Sequence, residues 1–364
     1  MKKIVRSILI IILQLLLVLY IYEAIRASYS VLLVVPITLI IICLMAFVES
    51  ILSFLISKLL GYEFYAYALG NFKIIKENGK LKFKNLKIKE FTFGPKMIAP
   101  KGKINRKKLL LSYLSVICFY IIGAYLVFIF TRHASGDWSS IGKAYVLITS
   151  IVIISTLFPS ERKIDVGSGT MLYNLFLVPE WIDSMIEAEY LFGLSLRGVR
   201  PREFNGLNKR GTKISDKTAS SYMIATYFFL LDHQRIKPMR KYIKFFEEYI
   251  DGKIDRFNGS YCSEVIFYHS INQNIEKAKE YYPKIEKKKK KAIYDTNDCR
   301  VEAYYSYYIL KDKKRALMYC DLGLSNHDFL YKGQMKMEHE LIMYLKDIMS
   351  GKVKNPWWSK EKGM

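Results

Sequence analysis

The run Ala46-Phe47-Val48-Glu49-Ser50-Ile51-Leu52-Ser53-Phe54-Leu55-Ile56-Ser57-Lys58-Leu59-Leu60-Gly61-Tyr62-Glu63-Phe64 decides the reading of this chain. It closes an apolar stretch, 31–60, that exceeds the ~20 residues a helix needs to cross a bilayer. One carboxylate, Glu49, sits inside it, with Ser50 and Ser53 close by. An Asp or basic residue at the centre of a span costs ~2.5–3.5 kcal/mol on insertion scales, and a position nearer the end, such as Glu49, costs less. Two roles follow. Glu49 is an interface carboxylate hydrogen-bonded to a serine or a neighbouring span, or it is a polar contact for a bound transmembrane peptide, a proton or a cation.

Three further apolar runs, 4–22, 109–130 and 141–158, are long enough to span a membrane. The four together predict a mostly α chain, built as a polytopic membrane helix bundle. The first run follows Lys2, Lys3 and Arg6, which also suits a signal peptide. Its length and the lack of a clean small-residue cleavage site favour a retained span. Between the second and third runs stand thirteen basic residues, from Lys73 to Lys108, whereas the connections 23–30 and 131–140 carry only Arg26 and Arg132. Basic loops stay inside. The expected topology is therefore a multi-pass protein of the cell membrane with both termini in the cytoplasm.

The net charge of +23 asks for a partner. Polybasic segments beside spans are drawn to anionic headgroups by ~1 kcal/mol per Lys or Arg, so the bilayer surface is the expected one. The lysine run 287–291 has the charge to follow phosphates, but no nucleic-acid motif accompanies it, and nucleic acid is not expected. Five cysteines, at 43, 118, 262, 299 and 320, form no CxxC pair. They support neither a disulfide framework nor a zinc knuckle.

Past Glu49 the chain continues with Gly61-Tyr62-Glu63-Phe64, a Lys-rich pair of strand-like runs around Glu77-Asn78-Gly79, and Gly94-Pro95-Lys96. This series resembles the site-2 protease family of intramembrane zinc metalloproteases, particularly a bacterial branch. In that family an HExxH helix runs into a Gly-Tyr step, a hairpin and a Gly-rich stretch. HExxH works because two histidines four apart ligate zinc while the glutamate activates water. Here Glu49 and Ser53 fill the histidine slots and Ser50 the glutamate slot. Sliding by one residue puts Val48 and Leu52 there instead, and the first histidine of the chain is His133. The family's third ligand, an Asp after Asn-x-x-Pro, matches Thr156, Pro159 and Ser168, with Asp165 available only by realignment.

A lone Glu with serines makes a poor zinc site, so no metal or other cofactor is expected. Zinc enters only if the ligands are rearranged. The resemblance implies a relative that is silent as an enzyme and binds a membrane or secreted peptide precursor, or an active protease paralogue. The alternatives are an active zinc protease with atypical ligands, and a membrane-anchored scaffold or transport accessory. Serine hydrolysis at Ser50, Ser53 or Ser168 would need a base within reach, and Lys58 is the nearest basic residue in sequence.

The sequence divides into a membrane domain over 1–175, with a basic hairpin loop at 61–108, a connecting segment over 176–217, a cytoplasmic helical domain over 218–350 and a tail over 351–364. Glu77-Asn78-Gly79 signals a tight hairpin turn. Its strands carry Phe72, Ile75, Leu81 and Phe83, which suit edge pairing with an extended peptide or a plain structural hairpin. In the helical domain Met239, Ala278 and Ala316 fall in register, with spacings of 39 and 38 residues. That period predicts tetratricopeptide-like helical hairpins, which stack because one pair cannot bury its own face, and a surface for a protein partner. His339-Glu340-Leu341-Ile342-Met343 begins like HExxH but ends in Met, and reads as surface beside a core face. Trp357-Trp358 suits a membrane-interface anchor or a flexible tail.

Overall fold

A computed structural model describes Leu15, Leu19, Tyr22 and residues 31–69, 72–77, 80–85, 93–100, 105–133, 137–157, 168–207, 218–252, 259–289, 295–326 and 331–359. The described residues are mostly helical, with twelve α-helices and a small antiparallel sheet. They fall into two compact units. The first comprises Met1–Ala68 and Phe93–Asp183, and the second Leu69–Thr92 and Ser184–Met364.

In the first unit the apolar run containing Glu49 forms one helix, α1 (Val31–Leu59). After it come β1 (Glu63–Leu69) and, later in the chain, β4 (Phe93–Ile98), which are neighbouring strands, with β4 also packed on α1. Gly61 makes the turn out of α1 at φ +92°, a conformation that side chains with a Cβ rarely adopt. The helix α2 (Arg106–Thr131) starts where the Asn105 side chain accepts from the Lys108 amide at 2.9 Å. Then follow α3 (Asp137–Leu157) and α4 (Ser168–Leu177). α2 packs on α1, α3 and α4, and α3 packs on α4.

One helix among the described residues, α2, is long and apolar enough to cross a membrane, with a mean hydropathy of 2.3 in its best window. Only 11% of that window is buried within the protein, and Ile121, Ile122, Tyr125 and Phe130 face outward. α3 contains a shorter apolar stretch, Tyr145–Ile154. Of the first apolar run, Leu15, Leu19 and Tyr22 are helical, and the rest lies outside the described residues.

The second unit contains the hairpin of β2 (Phe72–Glu77) and β3 (Lys80–Asn85). Its antiparallel register pairs Glu77 with Lys80 and Phe72 with Asn85, which leaves two residues for the turn, as an Asn-Gly pair signals. The unit then holds α5 (Pro179–Leu196) from Ser184 onward, α6 (Ser220–Asp232), α7 (Ile236–Gly252), α8 (Gly259–Ile271), α9 (Ile275–Lys289), α10 (Thr296–Tyr308), α11 (Lys313–Ser325) and α12 (Lys332–Met349).

Three hairpins, α6/α7, α8/α9 and α10/α11, turn in the same way. Gln234, Gln273 and Lys311 occupy the left-handed region at φ +58°, +56° and +57°, spaced by 39 and 38 residues. The first two turns repeat their hydrogen bonds as well: Gln234 and Arg235 donate to Leu231 and Leu230, and Gln273 and Asn274 donate to Ser270 and His269. This is the αL termination that satisfies orphan carbonyls at a helix end. Five residues past each turn stand Met239, Ala278 and Ala316, all fully buried. The sequence period is thus a period of turns. Gly198 and Gly351 end α5 and α12 with the same handedness.

The last helix packs back on the first element. The Gln334 amide donates to Ser195 Oγ at 3.0 Å, and Lys336 Nζ to the Gly198 carbonyl at 2.9 Å. Gly333 allows this contact, since a Cβ there would lie 1.8 Å from the Val199 carbonyl oxygen. Arg200 fastens the seam by binding both oxygens of Asp232, at the end of α6, and Glu340 on α12. Such planar bidentate pairing is what guanidinium does best.

The interior is rich in stacked rings: Phe246 on Tyr261 at 4.3 Å between centroids, and Tyr282 on Tyr305 at 4.0 Å. Trp357 and Trp358 are buried as well. Trp358 is 2% exposed and lies edge-on to Tyr304, Tyr308 and Tyr344. The C-terminal tryptophans therefore cap the helical core, in place of the membrane anchor or flexible tail that the sequence suggests. His339 stands 3.2 Å from the Gly323 carbonyl and, among the described residues, belongs to no group arranged to hold a metal ion.

Candidate functional site

Glu49 and Ser50 lie on adjacent sides of the last turns of α1, because residues one apart on a helix point about 100° apart. Each finds a phenol. Tyr120 of α2 donates to Glu49 Oε2 at 2.8 Å, and Ser50 Oγ shares a 2.8 Å hydrogen bond with the Tyr67 hydroxyl of β1. Ser53, one turn on, is half-buried. Both contacts supply a hydrogen-bonding partner to a polar group inside an apolar helix.

Beside the Glu49–Tyr120 contact is a cavity of about 220 Å³, lined by Leu44, Met45, Val48, Phe119, Tyr120, Gly123 and Tyr145. Its walls come from α1, α2 and α3. Leu44 and Val48 on its rim are exposed at 59% and 40%. Gly123 keeps one wall low, with the Tyr145 hydroxyl 3.6 Å from where its Cβ would be. The space exceeds the roughly 150 Å³ that accommodates a benzene ring in an engineered apolar cavity. It can take one large aliphatic or aromatic side chain, with a carboxylate–phenol pair next to it.

Of the other motif positions, Thr156 lies near the end of α3 and Ser168 opens α4, and Pro159 and Asp165 lie outside the described residues. The helices of Glu49 and Ser168 both pack on α2. Lys58 sits 5.9 Å from the ring of Phe54, a turn and more beyond Ser53. Ser50 is thus bonded to a phenol, with no base against it among the described residues. Among those residues, no group of three His, Cys, Asp or Glu side chains is arranged to hold a metal ion.

In the hairpin, the alternation of a strand separates the four singled-out residues. Phe72, Leu81 and Phe83 share one face and are 62%, 62% and 81% exposed. Ile75 points to the opposite face and is buried at 6%. β3, which bears Leu81 and Phe83, is an edge strand among the described residues.

Tyr120, Tyr145 and Gly123 carry no motif and were not legible as site residues. Thr149 of α3 is also new: it is fully buried, and its hydroxyl has no hydrogen-bond partner among the described residues. A polar residue inside an apolar run was the available signal for all but Gly123. The chain matches no family model, no curated protein and no solved structure.

Proposed function

We propose that this chain is a multi-pass membrane protein of the site-2 protease type that has lost hydrolysis and binds an apolar peptide segment within the bilayer. The observation that carries this reading is the cavity beside the Glu49–Tyr120 contact. It offers a pocket for one bulky side chain and a carboxylate for a neighbouring donor, while neither register of the degenerate motif supplies a histidine. The outward-facing apolar residues of α1 and α2 suit a surrounding of acyl chains. Both termini are assigned to the cytoplasm by the lysines between the spans, whose charge suits anionic headgroups.

The peptide-binding role of the hairpin belongs to the same proposal. Exposed Phe72, Leu81 and Phe83 on a hairpin with an edge strand suit an added strand. The stacked hairpins of the second unit support a protein-binding or scaffolding role, since tetratricopeptide-like arrays present extended surfaces.

The test is a competition crosslink in nanodiscs. A photoreactive residue is placed at Leu44, on the cavity rim. The probe is a biotinylated leucine-rich transmembrane peptide. The proposal expects labelling that an unlabelled copy displaces and that Gly123→Leu, which fills the cavity, reduces at least fivefold. Labelling no stronger than that of an unrelated membrane protein would sink it.

A further inference from the structure

In the core of the second unit, one guanidinium is enclosed by two carboxylates. Arg300 of α10 donates through Nη2 to Glu264 Oε1 of α8 at 2.7 Å, and through Nε to Glu338 Oε2 of α12. None of the three side chains reaches solvent. Asn297 donates to both carboxylates, at 2.9 Å to Glu264 and 3.1 Å to Glu338, and Gln334 donates to Glu338 Oε1 at 3.3 Å. Phe267 lies 4.2 Å under the guanidinium carbon. Tyr227 of α6 and Tyr304 of α10 complete the surroundings, with Tyr268 of α8 near Tyr227.

Every facing group except Arg300 is neutral or acidic. With both glutamates ionised, the cluster would hold one uncompensated negative charge away from water, and such pairs retain a proton instead. The hydrogen bonds say where it sits. Both oxygens of Glu338 accept bonds. On Glu264 only Oε1 does, while Oε2, the neighbouring Tyr227 hydroxyl and Arg300 Nη1 are buried with no hydrogen-bond partner among the described residues. We infer that Glu264 is a neutral carboxylic acid, protonated on Oε2 and turned toward the Tyr227 oxygen, and that Arg300 and Glu338 form the buried ion pair. The proton converts an orphan acceptor into a donor with an acceptor beside it.

Burial pushes the Glu264 carboxyl above its ordinary range, and Glu338 adds to the push while Arg300 opposes it. The folded chain therefore binds this proton more tightly than the unfolded one. Its contribution to stability is complete below the ordinary carboxylate pKa and is lost as pH rises through the raised folded value. The α8–α10–α12 stack carries a pin that rising pH withdraws.

Infrared spectroscopy of the full chain in detergent micelles tests this. At neutral pH the wild-type spectrum should contain a carbonyl-stretch band of a protonated carboxylic acid that Glu264→Gln removes and Glu302→Gln leaves in place. Glu264→Gln, which preserves the shape and donor of the acid, should also keep the wild-type melting temperature at neutral pH and flatten its fall toward alkaline pH. A Glu264→Gln chain that keeps every acid band overturns the assignment. So does one that is unstable at neutral pH while Glu338→Gln is tolerated.

Discussion

The hydroxyl of Tyr120 donates to Glu49 Oε2 across 2.8 Å and so ties α2 to α1 at the position where the sequence resemblance places the first metal ligand. The two residues are 71 apart in sequence. A carboxylate bonded to a phenol stands where the resemblance places a nitrogen ligand, and the contact is structural and polar at once. Removing it should both loosen the helix pair and disturb the neighbouring cavity. Tyr120→Phe is expected to lower the stability of the purified protein by about 1 kcal/mol, the usual net size of a hydrogen bond. It should also weaken competitive labelling at Leu44. Denaturant-dependent unfolding in mixed micelles reads the first effect, and an unchanged midpoint would contradict it.

Arg200 holds the seam of the helical unit. Its side chain is 11% exposed, against 3% for Asp232 and 49% for Glu340. Burial works against its charge, but the bonds to Asp232 and Glu340 more than compensate and raise its pKa. Arg200→Ala leaves Asp232 buried with, among the described residues, only the Arg202 amide donating to it, at 3.0 Å. The expected cost is about 2–4 kcal/mol, since a buried charge loses its partner. Arg200→Lys should recover less than half, because an ammonium cannot make the fork. Urea unfolding followed by circular dichroism measures both.

The three left-handed turn residues carry Cβ atoms where glycine is at ease. Gln234→Gly, Gln273→Gly and Lys311→Gly should each stabilise the unit by up to about 1 kcal/mol, the backbone relief exceeding the added entropy of the unfolded chain. The sites lie in separate turns, so a triple variant should be additive. Three neutral or destabilising results from chemical denaturation would mean that these side chains hold the turns by other contacts.

Trp358→Ala tests the capping role of the tail. Loss of a buried indole against three tyrosines should cost about 3–5 kcal/mol. Were the tryptophan a lipid anchor, the substitution would leave unfolding unchanged and reduce membrane affinity instead. Thermal unfolding and vesicle flotation on the same variant separate the two.

What the sequence disclosed was whatever recurs or punctuates locally. Met239, Ala278 and Ala316 betrayed the repeat because each must be accommodated at the same buried place after a turn. Asn78-Gly79 betrayed the hairpin because few other pairs accept that turn. Long-range partners left no such trace. Nothing near Glu49 pointed to Tyr120, and nothing near Arg300 marked it as fully buried, since its two carboxylates arrive 36 and 38 residues away in sequence. Trp357-Trp358 read as an anchor because the aromatic cluster that receives it is assembled only by the fold.

The frame of the site-2 protease type proposed above is one without its metal. Metal analysis of the full chain, purified from zinc-supplemented cells and dialysed, addresses it most directly. The account predicts less than about one-tenth of a zinc per chain, together with no chelator-sensitive cleavage of the transmembrane peptide. One zinc per chain, lost on Glu49→Ala, would contradict it.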